Sequence, residues 1–440
     1  MTGHFPLFLL KRSTALLLLL FLASCSASKK AFTGIDKELN TSPIFKKGFT
    51  GLAVYDPEKE KMLYEYNSNK YFTPASGIKL LTFYASLKVL GDSVPALKYT
   101  LSGDSLFFSG TGDPSLLHPD LPESSVIDFL KNTSRELVYL PPLKSEEPLG
   151  PGWAWDDYPY YFSAERSDIP VFGNSVVFRF SEGSSEPEII PEIFKDSISS
   201  EHSEERIKRD RRRNIFRLAA TPAKKDLEQK VPFITSEETL LKILEDTLGR
   251  KIALARKHPE KNLTKKTFFS IHADSLYRPM LQDSDNFMAE QLLRIVTLEI
   301  SDTLSVKEGI AHIKENFLYD LPDDPVWVDG SGLSRYNLIT PGSMVKLLEK
   351  IKVERNYENL FVLLPAGGNS GTLKNQFLHN EPFIFAKTGS MSNNYSLNGY
   401  LKTEKGKILI FSFMNSNYTV ASPLLKQEME KILRTIRTTH

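Results

Sequence analysis

The sequence predicts an α+β fold: one antiparallel sheet built from both ends of the chain, helices packed against it, and a region of mixed α/β character inserted between its halves. Three observations carry this. Two strand candidates stand near the start of the body, three more stand near the C-terminus, and the stretch between is helical except over residues 96–265, where it breaks into short strand-like pieces. Strands supplied from both ends close most simply by pairing with each other and covering the sheet with helices.

Taken in order, Gly51-Leu-Ala-Val-Tyr55 and Met62-Leu-Tyr-Glu-Tyr66 flank the polar turn Asp56 to Lys61 and read as an antiparallel hairpin. Pro74 then opens a helix whose apolar spacing runs from Ile78 to Leu90, with Gly91 as its stop. Inside the inserted region, Phe233 to Leu248 reads as a helix started by Thr235-Ser-Glu-Glu, with Leu240, Leu241, Ile243, Leu244 and Leu248 on one face. Helical spacing returns over Phe287 to Ile300, Val306 to Phe317 and Pro341 to Ile351. Phe383 to Ala386, Leu397 to Leu401 and Lys407 to Met414 are strands separated by short turns, and Pro423 to Arg437 closes the chain as an amphipathic helix. The expected division is a main body over 46–95 and 266–440, with 96–265 as the insertion.

With 440 residues, 41% of them hydrophobic, the chain is long enough for more than one core. Lys and Arg (55) balance Asp and Glu (54), so no basic field points to nucleic acid and no acidic excess to a solvating tail. The basic run Lys208-Arg-Asp-Arg-Arg-Arg213 reads as solvated loop charge. At the N-terminus, Lys11 and Arg12 precede the apolar run Ala15 to Leu22, the pattern of an export signal. Leu22-Ala-Ser-Cys25 resembles the lipobox of bacterial lipoproteins, so residues 1–25 are expected to be a signal ending at a lipidated Cys25, and 26–45 a tether. Cys25 is the single cysteine, which leaves no disulfide for the mature chain. The eight histidines show no metal-binding spacing, no G-x-S-x-G elbow occurs, and Gly110-Thr-Gly112 lacks the third glycine of a dinucleotide loop. No metal and no cofactor are expected.

Chemistry is carried by three short strings in order: Ser76-Gly-Ile-Lys79, Ser284-Asp-Asn286 and Lys387-Thr-Gly389. Singly they are weak, because S-x-x-K recurs at Ser343/Lys346 and S-x-N at Ser396/Asn398. A serine hydroxyl is a poor nucleophile until a base takes its proton. At this spacing on a helix Lys79 lies one turn beyond Ser76, and a neutral amine there can be that base, its pKa lowered by burial and by a second cation, Lys387. An ordinary helix cap explains Ser76 alone equally well. Ser284 and Asn286 precede a helix, where Ser284 can relay a proton between Lys79 and a leaving amine and Asn286 can hold a substrate amide; capping by Asp283 or Ser284 is the alternative. Lys387, Thr388, Gly389 and Ser390 end an edge strand along which a peptide can add, its carboxylate near Lys387, Thr388 and Ser390, with Gly389 letting the ligand backbone approach. The backbone N–H groups of Ser76 and Ser390 would form an oxyanion hole.

These residues resemble the DacB-type D-alanyl-D-alanine carboxypeptidase/endopeptidases, the class C low-molecular-mass penicillin-binding proteins. Tyr71-Phe-Thr-Pro-Ala-Ser76-Gly-Ile-Lys79 is similar to the family's nucleophile segment, and Ser284-Asp-Asn286-Phe-Met-Ala-Glu290 to its second motif. Asp329-Gly-Ser-Gly-Leu-Ser334, Leu364-Pro-Ala-Gly367, Gly371-Thr372, Gly110-Thr-Gly-Asp-Pro114, Gly152-Trp-Ala-Trp-Asp-Asp157 and Asn174 are also similar to family strings. The resemblance implies a serine transpeptidase/β-lactamase-like domain interrupted by an accessory region. It further implies peptidoglycan stem peptides as substrate, an acyl-enzyme on Ser76 with release of D-alanine or of a neighbouring stem's amine, and β-lactams as covalent inhibitors. Two features depart from the pattern: the interval between Ser76 and Ser284 is short, and Met391-Ser-Asn-Asn-Tyr395 and Asn398 are unusually polar. A β-lactamase-like hydrolase and a non-catalytic, lipid-anchored wall-binding protein are the alternatives. The resemblance and Cys25 together place the chain in the periplasm on a lipid anchor, and Ser26, not being acidic, favours the outer membrane.

Overall fold

Strands from the two ends of the chain meet in one sheet. The computed structural model describes residues 32–440 except 143–145, 200, 202, 256–263 and 303–304; the export-signal segment and Cys25 lie outside the described residues. A first helix, α1 (32–41), leads into β1 (Phe49–Asp56), β2 (Lys61–Tyr66) and α2 (Lys79–Val89). Next come β3 (Ser93–Ser102), β4 (Ser105–Gly110), α3 (Val126–Asn132), β5 (Glu136–Tyr139), β6 (Ser175–Phe180), β7 (Glu188–Ile190), β8 (Ile207–Arg209) and β9 (Phe216–Leu218). They are followed by β10 (Leu227–Pro232), α4 (Glu237–Leu248), β11 (Ile252–Leu254), β12 (Lys266–His272), α5 (Asp274–Gln282), α6 (Asn286–Ile300) and α7 (Val306–Phe317). The chain ends with α8 (Pro341–Glu354), α9 (Tyr357–Leu363), β13 (Ile384–Met391), β14 (Asn394–Lys402), β15 (Ile408–Ser416) and α10 (Ser422–Thr439).

The main sheet runs β13-β14-β15-β1-β2, every pair antiparallel, with Leu52 opposite Phe413 where the two chain ends join. The two-residue period of a strand sends alternate side chains to opposite faces. Leu52, Val54, Leu409, Phe411 and Phe413 pack with α10 and α1 in one core, while Ala53, Ile410 and Met414 pack with α2, α5, α6 and α8 in another. Burial on both faces makes the strands nearly continuous in apolar residues, which is why each extends past the segment its alternation alone predicts.

Three expectations change here. The tether expected over 26–45 is a helix from residue 32: Ile35, Leu39 and Phe45 are buried against the sheet, and the Tyr64 hydroxyl donates to Asp36 at 2.6 Å. Apolar residues at i and i+4 outweigh the polar composition around them. The helix after Pro74 stops at Val89, because Leu90 already has extended backbone, so Gly91 is not the stop. Finally, Arg209 in the charged stretch is buried rather than solvated, its guanidinium 5.1 Å from the Tyr158 ring centre.

Residues between α2 and α5 build separate sheets, β11-β5-β4-β3-β12, β10-β6-β7 and β8-β9, around their own apolar cluster from Ala96 to Ile252. The chain leaves and re-enters the main body on adjacent strands, since β12 pairs antiparallel with β3. β12 therefore shares the insertion's sheet although it lies beyond residue 265.

Candidate active site

Ser76 sits on a short 3-10 turn, Ala75–Ile78, at the mouth of α2. The preceding Phe72 is bridged to Ile339 by paired backbone hydrogen bonds of 3.0 and 3.1 Å, and Ala75 has left-handed backbone at φ 47°. Such backbone is costly for a residue with a side chain and persists only where its surroundings impose it. One imposing contact is Gly332, itself at φ 85°, where an added Cβ would lie 2.0 Å from the Ala75 carbonyl oxygen.

Lys79 is fully buried, and its Nζ lies 3.0 Å from Ser76 Oγ, 2.6 Å from Asn286 Oδ1 and 2.6 Å from the Ser331 carbonyl. The Asn286 amide is oriented by its other end, because Nδ2 donates to the Phe162 carbonyl at 3.0 Å, so Oδ1 faces the lysine. A neutral amine has two hydrogens and one lone pair. Asn286 Oδ1 and the Ser331 carbonyl can only accept, so they take both hydrogens and leave the lone pair toward the Ser76 hydroxyl. Burial pushes the Lys79 pKa down to about 8, against the opposing pull of Asp329, Asp285 and Glu290. The arrangement can take a proton from serine.

Ser284 follows the end of α5 in left-handed backbone at φ 62°, and Asp285 caps α6 by accepting from the Met288 N–H at 2.9 Å. The cap is thus neither Asp283 nor Ser284. Ser284 Oγ accepts from Lys387 Nζ at 2.9 Å. Two expected roles therefore change: Ser284 is bonded to Lys387 rather than to Lys79, and Asn286 has both ends of its amide engaged by the protein rather than open to a substrate. Burial is the leading influence on Lys79, and burial together with the neighbouring Lys79 holds Lys387 well below its ordinary value.

Lys387, Thr388, Gly389 and Ser390 lie inside β13, not at its end, because β13 pairs with β14 through Met391. β13 is the sheet's edge. Its outer side is covered first by residues 365–367: Gly367 donates to the Ile384 carbonyl at 2.9 Å and Ala386 donates to Pro365 at 3.0 Å. By the two-residue period, Thr388 and Ser390 turn their N–H groups to that same edge, beyond the covered part. Thr388 Oγ1 donates to Thr372 Oγ1 at 2.7 Å, and Ser390 is exposed. The expected reason for Gly389 is corrected: an added Cβ would lie 2.0 Å from the Pro74 carbonyl oxygen, so what approaches is the protein's own turn leading into Ser76 rather than a ligand. That contact draws the third string against the first, helped by Ser396 Oγ donating to the Pro74 carbonyl at 2.7 Å.

Several residues at this centre had no role assigned from sequence. Asp329 is fully buried and accepts four hydrogen bonds, from Trp153 Nε1 (2.9 Å), Gly332 N (2.9 Å), Ser334 N (2.7 Å) and Asn337 Nδ2 (2.7 Å). It braces the turn whose Ser331 carbonyl holds Lys79. Glu290, also buried, accepts from the Ser331 N–H at 2.7 Å and faces Arg166 of the insertion at 3.5 Å. The signal available was the string Asp329-Gly-Ser-Gly, an acid followed by two glycines, which marks a tight braced turn.

The profile of the D-Ala-D-Ala carboxypeptidase 3 (S13) family matches residues 32–437. D-alanyl-D-alanine carboxypeptidase DacB of Haemophilus influenzae is 23% identical over 449 residues, covering 91% of this chain and 92% of the relative. D-alanyl-D-alanine carboxypeptidase of Actinomadura sp. (strain R39) is 24% identical over 472 residues, covering 92% of this chain and 85% of the relative. The crystal structure of penicillin binding protein 4 (dacB) from Haemophilus influenzae superposes with a TM-score of 0.69 at 20% identity, covering 89% of this chain and 96% of its own. A structure of that protein complexed with a β-lactam gives a TM-score of 0.62 at 18% identity, over 89% of this chain and 96% of its own. The fold is the penicillin-binding, β-lactamase-like one.

Proposed function

The chain belongs to the D-Ala-D-Ala carboxypeptidase 3 (S13) family, and from that premise we propose that Ser76 is the nucleophile, Lys79 its base and the open edge of β13 the bed of the substrate peptide. The protein is a serine-type D-Ala-D-Ala carboxypeptidase/endopeptidase that acts on peptidoglycan and binds penicillin. The observation that carries the residue assignment is the lone pair of Lys79, left facing Ser76 by Asn286 and the Ser331 carbonyl.

On this reading Lys79 takes the Ser76 proton as Oγ attacks the carbonyl carbon of the scissile peptide bond. Charge developing on the carbonyl oxygen is met by the N–H groups of Ser76 and Ser390. When the tetrahedral adduct collapses, the amine leaves with the proton that Lys79 took from Ser76, and the acyl group stays on Ser76. Water, activated by the same lysine, then releases it. Lys387, Thr388 and Ser390 receive the peptide's terminal carboxylate, and the same steps cut a cross-link when the leaving amine belongs to a neighbouring stem. A β-lactam acylates Ser76 by the first half of this sequence.

Mass spectrometry of muropeptides incubated with wild type and with Ser76→Ala tests the reading. The wild type is expected to deplete pentapeptides, dimers or both, and the variant neither. Folded wild-type protein that leaves both unchanged would overturn it.

Peptidoglycan lies outside the cytoplasmic membrane, so the enzyme works in the periplasm. Among the described residues no helix is long and apolar enough to cross a membrane. Attachment is proposed to come from lipid on Cys25, with the outer membrane as its site, on the evidence of Leu22-Ala-Ser-Cys25 and the non-acidic Ser26. Cys25→Ala is expected to move the protein from membrane to soluble fractions; a variant that sediments with membranes as wild type does would refute the anchor.

A further inference from the structure

One segment of the insertion follows α6 turn by turn. The Phe162 carbonyl accepts from Asn286 Nδ2 at 3.0 Å, Arg166 Nη1 faces Glu290 Oε2 at 3.5 Å, and Asp168 is paired with Arg294. Asn286, Glu290 and Arg294 stand four residues apart, so they form a single stripe on α6. Gln291 adds bonds to the carbonyls of Gly112 (2.7 Å) and Ser167 (2.8 Å). The first residue of the stripe holds Lys79 directly, and the second holds it at one remove. Glu290 Oε1 accepts from the Ser331 N–H, and the Ser331 carbonyl accepts from Lys79 Nζ.

Glu290 and Arg166 are both at least nine-tenths buried. A buried carboxylate is expensive unless paired, and an ion pair of this kind often adds nothing to stability compared with apolar residues of similar size. Glu290 Oε2 has no hydrogen-bond partner among the described residues and faces Arg166 Nη1 at 3.5 Å. Arg166 in turn is held by the carbonyls of Glu147 (2.8 Å) and Leu149 (3.3 Å), both in the insertion.

We propose that Glu290 and Arg166 are positioning residues of the acyl-transfer reaction: the arginine, supplied by the insertion, holds the carboxylate that fixes the Ser331 backbone and thereby aims the Lys79 lone pair at Ser76. The insertion is then part of the catalytic apparatus and not only an accessory body. This rests on the reading of Ser76 and Lys79 given above. The charged groups acting on Lys79 are Asp329 from the braced turn, Asp285 and Glu290 from α6 and its cap, and Lys387 from β13. Those acting on Glu290 are Asp329 and Arg166, and burial with Asp329 pushes its carboxyl up to about 7.

The test is the rate of acylation by a fluorescent penicillin from pH 6 to 10, on the full chain. It compares wild type, Ser76→Ala, Arg166→Lys, Arg166→Met, Glu290→Gln and the double variant Arg166→Met/Glu290→Gln, with folding monitored by near-ultraviolet circular dichroism. Arg166→Met and Glu290→Gln are each expected to slow acylation roughly tenfold to a hundredfold, and the double variant by no more than about threefold beyond the slower single, because coupled partners are not additive. Arg166→Lys, which keeps the charge, is expected to retain most of the rate. The midpoint of the pH profile is expected to move toward acid in Glu290→Gln, since one carboxylate that favours protonated Lys79 is gone; a packing role alone would not move it. Folded single variants with wild-type rates and midpoints, or losses that multiply in the double variant, would overturn the proposal. If Glu290→Gln does not fold, an unimpaired Arg166→Met alone overturns it. Wild type that fails to label at Ser76 would instead remove the Ser76 reading beneath it.

Discussion

Ser76→Ala is expected to abolish covalent labelling by penicillin and to lower D-alanine release by on the order of ten-thousand-fold or more, as removal of a serine nucleophile does in other acyl-transfer enzymes. The expectation follows from geometry. Ser76 Oγ is the hydroxyl 3.0 Å from Lys79 Nζ, and the lysine's other two neighbours can only accept hydrogen bonds, so no other group in that contact can be deprotonated. The fold should survive, because Ser76 is partly exposed and its hydroxyl fills no core position. Gel fluorescence after incubation with labelled penicillin reads the result directly. Undiminished labelling of the variant would place the nucleophile elsewhere, with Ser284 the next hydroxyl to test.

Lys79→Met should cost about a thousandfold in acylation rate, within the usual range for loss of a positioned base. Lys79→Arg should be as poor despite keeping the charge, because a guanidinium does not deprotonate in this pH range. In the wild type only the neutral amine is competent. With a pKa of about 8, acylation should rise about fivefold from pH 7 to pH 8 and level off above roughly pH 9. Stability moves in the same direction. The folded pKa lies below the unfolded value near ~10.4, so the unfolded chain binds more protons between them; the penalty for burying Lys79 is full below pH 8 and fades as pH rises toward that unfolded value. Lys79→Met should therefore fold at least as stably as wild type near neutral pH while being nearly inactive, and that split is what thermal melts beside acylation rates would read. A variant that acylates at the wild-type rate would dismiss Lys79 as the base.

The order of the three strings and the alternation of the end strands were legible from residues alone, because nearest-neighbour spacing carries them. Val306 to Phe317 reads as a helix from its spacing and is one, with Ser305 and Glu308 forming a reciprocal cap at its start. α1 was less legible, because Ile35 and Leu39 stand among Ser, Lys, Thr and Pro and gain their meaning only from the apolar face they cover. β13 was cut short at Ala386, since Lys387, Thr388 and Gly389 look like a strand's end until β14 is laid beside them.

Legible in the chain alone are the α+β class, an insertion after Ser76-Gly-Ile-Lys79, and a histidine-free set of serine, lysine and asparagine residues. These follow from periodicity and from side-chain chemistry, which are local. Tertiary structure decided which atoms meet: Ser284 with Lys387, Asn286 with Lys79 and Phe162, Gly389 with Pro74, and Glu290 with both Ser331 and Arg166. The physical reason is that a proton's location depends on every buried donor, acceptor and charge within a few ångströms. At Lys79 those neighbours come from α6, from the braced turn at Asp329 and from β13, and no spacing along the chain records that they converge.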